Sequence, residues 1–224
     1  MYPGIITVIG LVREVVGGGV ARIVVETGFD TGAIALGASV ALSGPCFTVV
    51  DKGPGWFAVE ASNETLGLTT AAHWVPGTRL NLEQSLRIGD EMGGHYVSGH
   101  VDGIATITLK RPDGDSWRFR FRVAPDLARF VAPKGSVALN GVSLTVNEVI
   151  DHADGSAELG VNVIPHTFAH TTFGDSAIGD RVNVEIDMLA RYVARLAEGG
   201  AIHAPPGRAP RGRAPSIAAG QPAD

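Results

Sequence analysis

The feature that most constrains the fold of this chain is an internal repeat, in which the second half of the sequence restates the first. The segment ASVALSGPCFTVV at residues 38–50 matches GSVALNGVSLTVN at residues 135–147. Three further pairs of segments match in the same order: 1–6 with 96–101, 63–70 with 165–172, and 77–83 with 179–185. A period this long exceeds the unit of a solenoid, so each copy is expected to form a small domain.

The repeat predicts how the 224 residues of the chain divide into domains. We expect a first domain at residues 1–94, a second at residues 95–186 and a helix at residues 187–200. Residues 201–224 are rich in Pro, Ala, Gly and Arg and carry no periodic apolar pattern, which predicts a disordered tail. The chain should therefore hold two tandem domains, each large enough to bury its own core.

Both domains are predicted to be all-β, because each copy contains six short runs rich in Val, Ile, Thr and aromatic residues. Gly, Pro and Asp separate these runs, as is typical of small antiparallel barrels or sandwiches. Gly44 and Gly141 fall between runs, where a residue of positive φ closes a tight hairpin. In WRFRFRV at residues 117–123, apolar and basic residues alternate strictly, which predicts one core-facing side. The predicted strands are 4–12, 19–26, 38–42, 45–51, 55–61, 79–84, 100–109, 117–123, 136–140, 143–150, 157–163 and 181–186.

One long α-helix is predicted at residues 185–198, in EIDMLARYVARLAE, with shorter helical pieces at 86–92 and 126–131. The long helix carries an apolar stripe at three- and four-residue spacing, formed by Leu189, Tyr192 or Val193, and Leu196. A stripe of this kind needs to be covered. Either its own barrel or copies of the same helix in an oligomer could cover it, and the pattern leaves both open.

Composition excludes several classes of protein. The net charge is −5, with acidic residues outnumbering basic ones, so we expect no nucleic-acid partner. No apolar run is long enough to span a bilayer, and the apolar N-terminus lacks the basic region and cleavage site of a signal peptide. The single cysteine, Cys46, excludes an intrachain disulfide and suits a reducing compartment. We therefore expect a cytoplasmic protein with no membrane partner.

Positions at which the two copies differ are the candidates for chemistry, because residues that hold the shared fold should be the same in both. Cys46 either packs as a small apolar side chain on a strand or supplies a thiol that exchanges protons. His100 either caps the start of a strand or acts as a general acid or base. The mismatched pairs are Cys46 with Ser143, Ile5 with His100, Pro3 with Ser98, Glu64 with His166, and Gly37 with Lys134.

No metal site is predicted. His95 and His100 are five residues apart, a spacing that suits neither one face of a helix nor one side of a strand. His166 and His170 have helical spacing but no third ligand nearby in the sequence. The residues alone therefore lead to two similar barrels, each with a similar small ligand and unlike polar side chains, and they leave that ligand unnamed.

The motifs MYPGII, SGPCFTVV, GGHYVSGHVDG, KGSVALNGVSLTVNEV, VNVIPHTFAHTTF and GDRVNVEIDMLARYV together resemble the family of riboflavin synthase α chains. The resemblance implies two six-stranded Greek-key barrels followed by a C-terminal helix that assembles a homotrimer. It also implies a reaction without metal or cofactor, in which two molecules of 6,7-dimethyl-8-ribityllumazine give riboflavin and 5-amino-6-(D-ribitylamino)uracil by four-carbon transfer. The active site is then expected between the first barrel of one subunit and the second barrel of the next.

By this resemblance, Ser39, Cys46 and His100 are the candidates for proton transfer and for activation of a nucleophile. The first-barrel pocket is expected to be lined by Gly4, Ile5, Ile6, Cys46, Phe47, Thr48, Glu60, Ala61, Ser62, Asn63, Glu64 and Thr65. The second-barrel pocket is expected to be lined by Gly99, His100, Val101, Lys134, Ser143, Leu144, Thr145, Ile164, Pro165, His166, Thr167, Phe168 and Ala169.

Three residues depart from the family pattern as we interpret it. Tyr2 and Pro3 stand where the family usually has Met-Phe-Thr-Gly at its start, and Asn140 stands where many members have Asp. The loss of a hydroxyl and of a backbone donor at Pro3 puts a ligand contact there in doubt. The alternative functions are a non-catalytic lumazine- or flavin-binding protein of the same fold and a two-barrel interaction module.

Overall fold

Residues 1–17 and 20–198 are described by a computed structural model of the chain. The expected tail at residues 201–224 and the last two residues of the expected helix lie outside this part of the chain. Within the described residues, the chain folds into two closed antiparallel barrels of six strands each. The first barrel contains β1 (Val8–Val16), β2 (Ala21–Glu26), β3 (Ser39–Leu42), β4 (Cys46–Gly53), β5 (Trp56–Ala61) and β6 (Arg79–Gln84).

The second barrel repeats the first strand for strand. Its strands are β7 (Gly103–Asp113), β8 (Ser116–Val123), β9 (Ser136–Leu139), β10 (Val142–Asp151), β11 (Ala157–Val163) and β12 (Arg181–Ile186). Around each barrel, the strands of one copy follow the order first, second, fifth, fourth, third, sixth, and the sixth closes on the first. Three hairpin-connected strands beside a fourth that joins by a long connection form a Greek key, so the predicted topology is confirmed.

The barrel interiors are filled by alternate residues of the strands, as the alternation in the sequence predicts. In β8, Phe119 and Phe121 are fully buried and Val123 is 1% exposed, while the arginines between them form ion pairs on the outer face. Trp117 departs from this pattern, because it lies half-buried at the mouth of the barrel and stacks on Phe168. Each barrel therefore has its own core, and Trp117 packs against Phe168 at the rim of the second barrel.

Four short helices accompany the barrels: α1 (Asn63–Leu68), α2 (Pro125–Ala128), α3 (Pro165–His170) and α4 (Met188–Glu198). A 3₁₀ turn at Thr70–His73 follows α1. The helix expected at residues 86–92 is wrong. Gly89 has φ +99°, and the carboxylate of Asp90 accepts a hydrogen bond from the Arg87 N–H at 2.7 Å, so this segment is a turn. No helix in the described part of the chain is long and apolar enough to span a membrane.

Helix α4 begins three residues later than expected. Glu185 and Ile186 belong to β12 and pair with β9, and the Asp187 carboxylate accepts a hydrogen bond from the Leu189 N–H at 2.9 Å. Its polar residues tie α4 to the second barrel, because Arg191 pairs with Asp102 at 2.7 Å. The apolar stripe of α4 points away from the barrel, with exposed fractions of 68% for Leu189, 61% for Tyr192, 63% for Val193 and 53% for Leu196. The barrel therefore leaves the stripe uncovered.

The two barrels meet at a seam that follows the repeat. Tyr2 and Val97, one from each copy, form an antiparallel bridge in which each N–H donates to the other's carbonyl, at 2.8 and 3.0 Å. Two equivalent asparagines complete the seam. The Asn183 amide donates to the Ser43 carbonyl at 2.8 Å, and the Asn81 amide donates to the Asn140 carbonyl at 2.9 Å. The seam thus has approximate twofold symmetry and brings the start of each copy against the other barrel.

Candidate active site

A cavity of about 240 Å³ lies where the first barrel meets the start of the second copy. One wall comes from β4 and α1, and the other comes from residues 99–101. Ser62 fixes the α1 wall, since its hydroxyl caps the helix by accepting from the Thr65 N–H at 3.2 Å. The lining residues are Pro45, Cys46, Glu64, Thr65, Leu68, Thr69, Gly99, His100 and Val101.

Gly99 allows the two walls of this cavity to approach each other closely. Its carbonyl accepts a hydrogen bond from the Cys46 N–H at 2.9 Å, and its φ of +80° disfavours residues with a Cβ. A Cβ on Gly99 would lie 2.5 Å from that of Cys46. Gly4 has the same role in the other half of the repeat, where its carbonyl accepts from the Ser143 N–H at 2.8 Å. The two glycines that the copies share are therefore explained by backbone contact.

These contacts correct the expected assignment of pocket residues. Residues 4–6 were expected in the first-barrel pocket, but Gly4 lies on Ser143 and Ile6 packs against the core of the second barrel. Residues 99–101 were expected in the second-barrel pocket, but they form a wall of the first-barrel pocket beside Cys46. The first segment of each copy therefore crosses the seam and serves the other barrel.

Cys46 is half-buried and its sulfur accepts a hydrogen bond from the Tyr2 hydroxyl, with 3.0 Å between Oη and Sγ. Tyr2 is fully buried. Burial raises the pKa of Tyr2 well above its usual range, and the contact with Cys46 adds to this effect, so the phenol keeps its proton and acts as a donor. The Ser39 hydroxyl acts in the opposite direction and lowers the Tyr2 pKa, but by less than burial raises it.

The three candidates for catalysis thus lie around one end of the first barrel. Ser39 pairs with Thr48 across the β3–β4 ladder, two residues along β4 from Cys46. His100 is exposed and lines the cavity from the wall opposite Cys46, next to Gly99. Cys46 and His100 line the same cavity, whereas Ser39 lies behind it.

The corresponding place in the second barrel is occupied by Ser143, whose Oγ lies 2.7 Å from Nδ1 of His95. His95 is half-buried, and burial lowers its pKa, with opposing contributions from Asp187 and Glu185. Helix α3 packs against the core of the same barrel through Phe168. Its Phe168 stacks on Trp117 with 4.6 Å between ring centroids, and Lys110 Nζ lies 5.0 Å from the Phe168 centroid. Ser143 therefore has a different polar partner from its equivalent in the first barrel, Cys46.

The remaining expected pocket residues are not all brought together. Phe47, Ala61 and Leu144 are buried and support the pockets from below. Glu60 is exposed on β5 and pairs in the ladder with Arg22. Thr48 and Thr145 are exposed on equivalent strands, and Lys134 is exposed at a turn with φ +69°. The exposed residues at the two rims are Ser62, Asn63, Ile164, Pro165, His166 and Ala169, while Thr65, Thr167 and Phe168 are half-buried.

The largest cleft among the described residues, of about 680 Å³, lies elsewhere on the seam and contains none of the expected site residues. Its charged groups already contact each other, since Arg79 pairs with Asp175 and Arg181 donates to Nε2 of His73 at 3.1 Å. The described residues contain no group of three or more His, Cys, Asp or Glu side chains that could hold a metal. We therefore assign the candidate active site to the smaller cavity beside Cys46.

Comparison with known proteins identifies the repeated unit. The lumazine binding domain matches residues 3–85 and again residues 98–187. The riboflavin synthase of Brucella abortus (strain 2308) is 51% identical over 205 residues, covering 88% of this chain and 98% of that protein. The chain belongs to the riboflavin synthase family. The riboflavin synthase of Photobacterium phosphoreum is 36% identical over 199 residues, covering 88% of each chain.

Solved structures support the same fold. LumP in complex with 6,7-dimethyl-8-(1'-D-ribityl) lumazine is 21% identical and superposes with a TM-score of 0.72, covering 83% of this chain and 98% of LumP. LumP in complex with riboflavin superposes with a TM-score of 0.73, covering 83% of this chain and 99% of LumP. At this identity the likeness establishes the fold alone, while the riboflavin synthase relatives establish the family.

Among the departures from the riboflavin synthase pattern, Pro3 leaves the buried carboxylate of Glu83 with fewer hydrogen-bond donors. In the second copy, Ser98 donates its N–H and hydroxyl to Glu185, both at 2.6 Å, and Gly99 N–H adds a third bond at 2.9 Å. Pro3 lacks both of the donors that Ser98 provides. The equivalent Glu83 accepts from the Ile5 N–H at 2.8 Å, and its Oε2 is buried without a partner in the described residues. Burial raises the pKa of Glu83 to about 7.

Asn140, the third departure, is a turn residue in this riboflavin synthase fold. It has φ +47°, and its side-chain oxygen accepts from the Asn183 N–H at 2.8 Å. It thus supports the seam, where its carbonyl also accepts from the Asn81 amide. Gly44 and Gly141 have positive φ of 113° and 79°, which confirms the two predicted hairpin turns.

Sequence reasoning missed the roles of Tyr2, His95 and Glu83. Tyr2 was noted only as a departure from the family, and His95 was considered only as a metal ligand. Glu83 was marked by its identity with Glu185 in the other copy, a signal that pointed to a shared structural contact. The mismatch of Pro3 with Ser98 could have drawn attention to Glu83, if each mismatched position had been compared with the buried residue that it faces. The contact of Tyr2 with Cys46 could not be found in this way, because the two residues meet only through the seam.

Proposed function

We propose that this protein is a riboflavin synthase that converts two molecules of 6,7-dimethyl-8-ribityllumazine into riboflavin and 5-amino-6-(D-ribitylamino)uracil. The observation that carries the proposal is the meeting of Cys46 and His100, one from each copy, at a single cavity in a chain of this family. A second, related site around Ser143 provides a place for the second lumazine. The proposed reaction needs neither a metal nor a redox cofactor.

The chemistry requires two pockets that are alike in shape and unlike in polar groups. The 7-methyl group of the lumazine is acidic, because its carbanion delocalises into the ring, so one molecule needs a base. The other molecule must accept attack at C7. Similar pockets hold the two molecules with their reacting atoms close together, and different side chains give them different roles.

Cys46, His100 and Ser39 are proposed as the catalytic residues. His100 is exposed at the cavity and carries an imidazole, a side chain that commonly acts as a general acid or base. Cys46 lines the same cavity and can carry a proton between its sulfur and the ligand. Ser39 pairs in the β3–β4 ladder with Thr48, two residues along β4 from Cys46. The threonines of α1 and α3 and the backbone of residues 4–6 and 99–101 are proposed to bind the ligand.

We further propose that the active site is completed by a second subunit in a homotrimer. A cavity of about 240 Å³ is smaller than the roughly 300–1,000 Å³ of typical ligand sites and is open on one side. The apolar stripe of α4, which the barrel leaves exposed, provides a surface on which copies of the chain can associate. A subunit docked in this way could bring the second-barrel site of one copy against the first-barrel site of another. A cytoplasmic location would keep Cys46 reduced and agrees with this assignment.

The test is to incubate the purified protein with 6,7-dimethyl-8-ribityllumazine and to follow riboflavin by its absorbance. Riboflavin formation at a 1:2 ratio to lumazine consumed is expected. Tight binding of the lumazine without riboflavin formation would instead assign the chain to the non-catalytic binders. Absence of both binding and turnover would leave only the interaction module.

A further inference from the structure

The equivalent side chains Cys46 and Ser143 have different hydrogen-bond partners, and both partners come from the crossing segments at the seam. Ser143 is met by the His95 imidazole, whereas the Cys46 sulfur is met by the Tyr2 hydroxyl. Tyr2 and Val97 occupy equivalent places in the bridge between the barrels. Val97 offers no polar group, so the Tyr2 hydroxyl has no counterpart in the second copy.

The Tyr2 hydroxyl is held rigidly. Its backbone is fixed on both sides by the hydrogen bonds with Val97, and its ring is buried among Ala41, Val97 and Ala138. With Tyr2 0% exposed, the hydroxyl is shielded from water and its proton is directed to the Cys46 sulfur at 3.0 Å. A buried phenol without such an acceptor would be left unsatisfied, so the contact is strongly favoured.

We propose that Tyr2 is a positioning residue for Cys46 in the reaction assigned under the proposed function, on which this inference rests. The Tyr2 hydroxyl fixes the orientation of the sulfur at the cavity and stabilises negative charge on the sulfur when its proton moves to the substrate.

The proton count follows from the donor and acceptor roles. Sγ accepts the proton of Tyr2, so the thiol proton of Cys46 must point elsewhere, and the cavity with His100 lies on its open side. When that proton is transferred, the S–H bond breaks, the new bond forms on the substrate, and the electron pair remains on sulfur. Tyr2 keeps its own proton throughout. Its hydrogen bond then becomes charge-assisted and strengthens, which is how it can favour the transition state over the ground state.

The decisive variant is Tyr2→Phe, which keeps the ring and removes only the hydroxyl. Tyr96→Phe is the matched control, because Tyr96 is 55% exposed and lies outside the cavity lining. We expect Tyr2→Phe to lower kcat about tenfold, the effect of one hydrogen bond to a developing charge, and to change the lumazine Kd less than twofold. In Tyr2→Phe, alkylation of Cys46, the single cysteine, by iodoacetamide at pH 7.5 should be about threefold to tenfold slower than in wild type.

A double variant separates positioning from general packing. In a Cys46→Ala background, Tyr2→Phe should cause no further loss of kcat, because the sulfur that it acts on is gone. A tenfold loss in that background, equal losses in kcat and binding, or alkylation as fast as in Tyr96→Phe would each overturn the proposal. The alkylation rate does not depend on turnover. Failure of the wild-type protein to form riboflavin would therefore refute the proposed function and leave the effect of Tyr2 on Cys46 separately measurable.

Discussion

Nδ1 of His95 lies 2.7 Å from Oγ of Ser143, the residue that occupies in the second barrel the position of Cys46 in the first. Nε2 of His95 is buried without a partner in the described part of the chain, so Ser143 provides the ring's side-chain hydrogen bond. A thiol with a phenol in the first barrel thus corresponds to an alcohol with an imidazole in the second. This difference would distinguish the two proposed ligand positions in a chain whose halves share one fold.

The first prediction concerns that contact. Ser143→Ala should lower the free energy of unfolding by about 1–2 kcal/mol, since it leaves both nitrogens of a half-buried imidazole without a side-chain partner. Urea unfolding at pH 7.5 measures the loss. Ser116→Ala, at a half-buried serine that begins β8, is the control and should change the midpoint little. Equal midpoint shifts in the two variants would contradict a structural role for the His95 contact.

The proposed catalytic roles of His100 and Cys46 are tested by His100→Gln, Cys46→Ser and Cys46→Ala. Loss of a general acid or base typically lowers rates by about 10² to 10⁴, so kcat should fall by far more than the lumazine Kd rises. Cys46→Ser keeps an atom that can accept the Tyr2 proton, whereas Cys46→Ala leaves that hydroxyl unsatisfied. We therefore expect Cys46→Ser to be the milder change. Parallel losses of binding and turnover in all three variants would mean that these residues only shape the pocket.

The buried Glu83 carboxyl should make stability depend on pH. Its pKa in the folded protein is raised to about 7 from 4.5, so the folded state binds the proton more tightly than the unfolded state. The resulting stabilisation is complete below pH 4.5, is lost as the pH rises to about 7, and amounts to about 3 kcal/mol. Glu83→Gln should therefore be more stable than wild type at pH 8 and equal to it below pH 4.5.

Urea unfolding of both proteins between pH 4 and 8 measures this difference. Subtracting one curve from the other removes the contribution of His95, whose lowered pKa acts in the opposite direction and destabilises the protein in acid. Glu26→Gln is the control, because Glu26 is exposed on β2. A difference between wild type and Glu83→Gln that does not vary with pH would show that Glu83 is already neutralised by another group.

Pro3→Ser should partly offset the cost of burying the Glu83 carboxylate with too few hydrogen-bond donors. Serine at this position restores the N–H and the hydroxyl that Ser98 donates to Glu185, so Glu83 should gain charge-assisted bonds. We expect a net gain of about 1 kcal/mol at pH 8, because the added hydrogen bonds exceed the stabilisation lost when a proline is removed from the unfolded chain. Chemical unfolding measures it. Ser98→Pro makes the reverse change in the second copy and should lower stability; a gain there would refute the comparison.

The proposed role of the apolar stripe of α4 in association is tested by placing charged residues in it. Leu189→Glu together with Val193→Glu should convert the proposed trimer to a smaller species in light scattering and lower the activity, because the proposed site spans two subunits. Arg195→Gln is the control, with an arginine side chain that is 82% exposed. An unchanged mass in the double variant would exclude this helix as the contact between copies.

The barrels could be predicted from the sequence because the patterns that specify their strands and turns are local and occur in both copies. Alternation in 117–123 and the Ser-Gly and Asn-Gly turns are set by residues close together in the chain, and the repeat lets each copy check the other. The predicted positions and ends of the helices were less accurate. Residues 86–92 have helix-forming side chains, but Gly89 and the Asp90 carboxylate stabilise a turn instead.

The crossing of segments could not be predicted from the residues. Gly4 and Gly99 are equally compatible with packing on either barrel, and the choice depends on how the two barrels dock across the seam. The same docking brings the Tyr2 hydroxyl to Cys46 over a separation of 44 residues. The family resemblance pointed to both segments as pocket residues, but it assigned each segment to its own barrel.

The crossing segment also limits how independently the two sites can act. His95 touches Ser143 at one site and His100 lines the cavity at the other, so a single stretch of backbone connects both. Five residues of extended chain reach at most about 17 Å, which leaves little slack between the two ends. The affinities of the two proposed lumazine positions should therefore be measured as a linked pair rather than as separate constants.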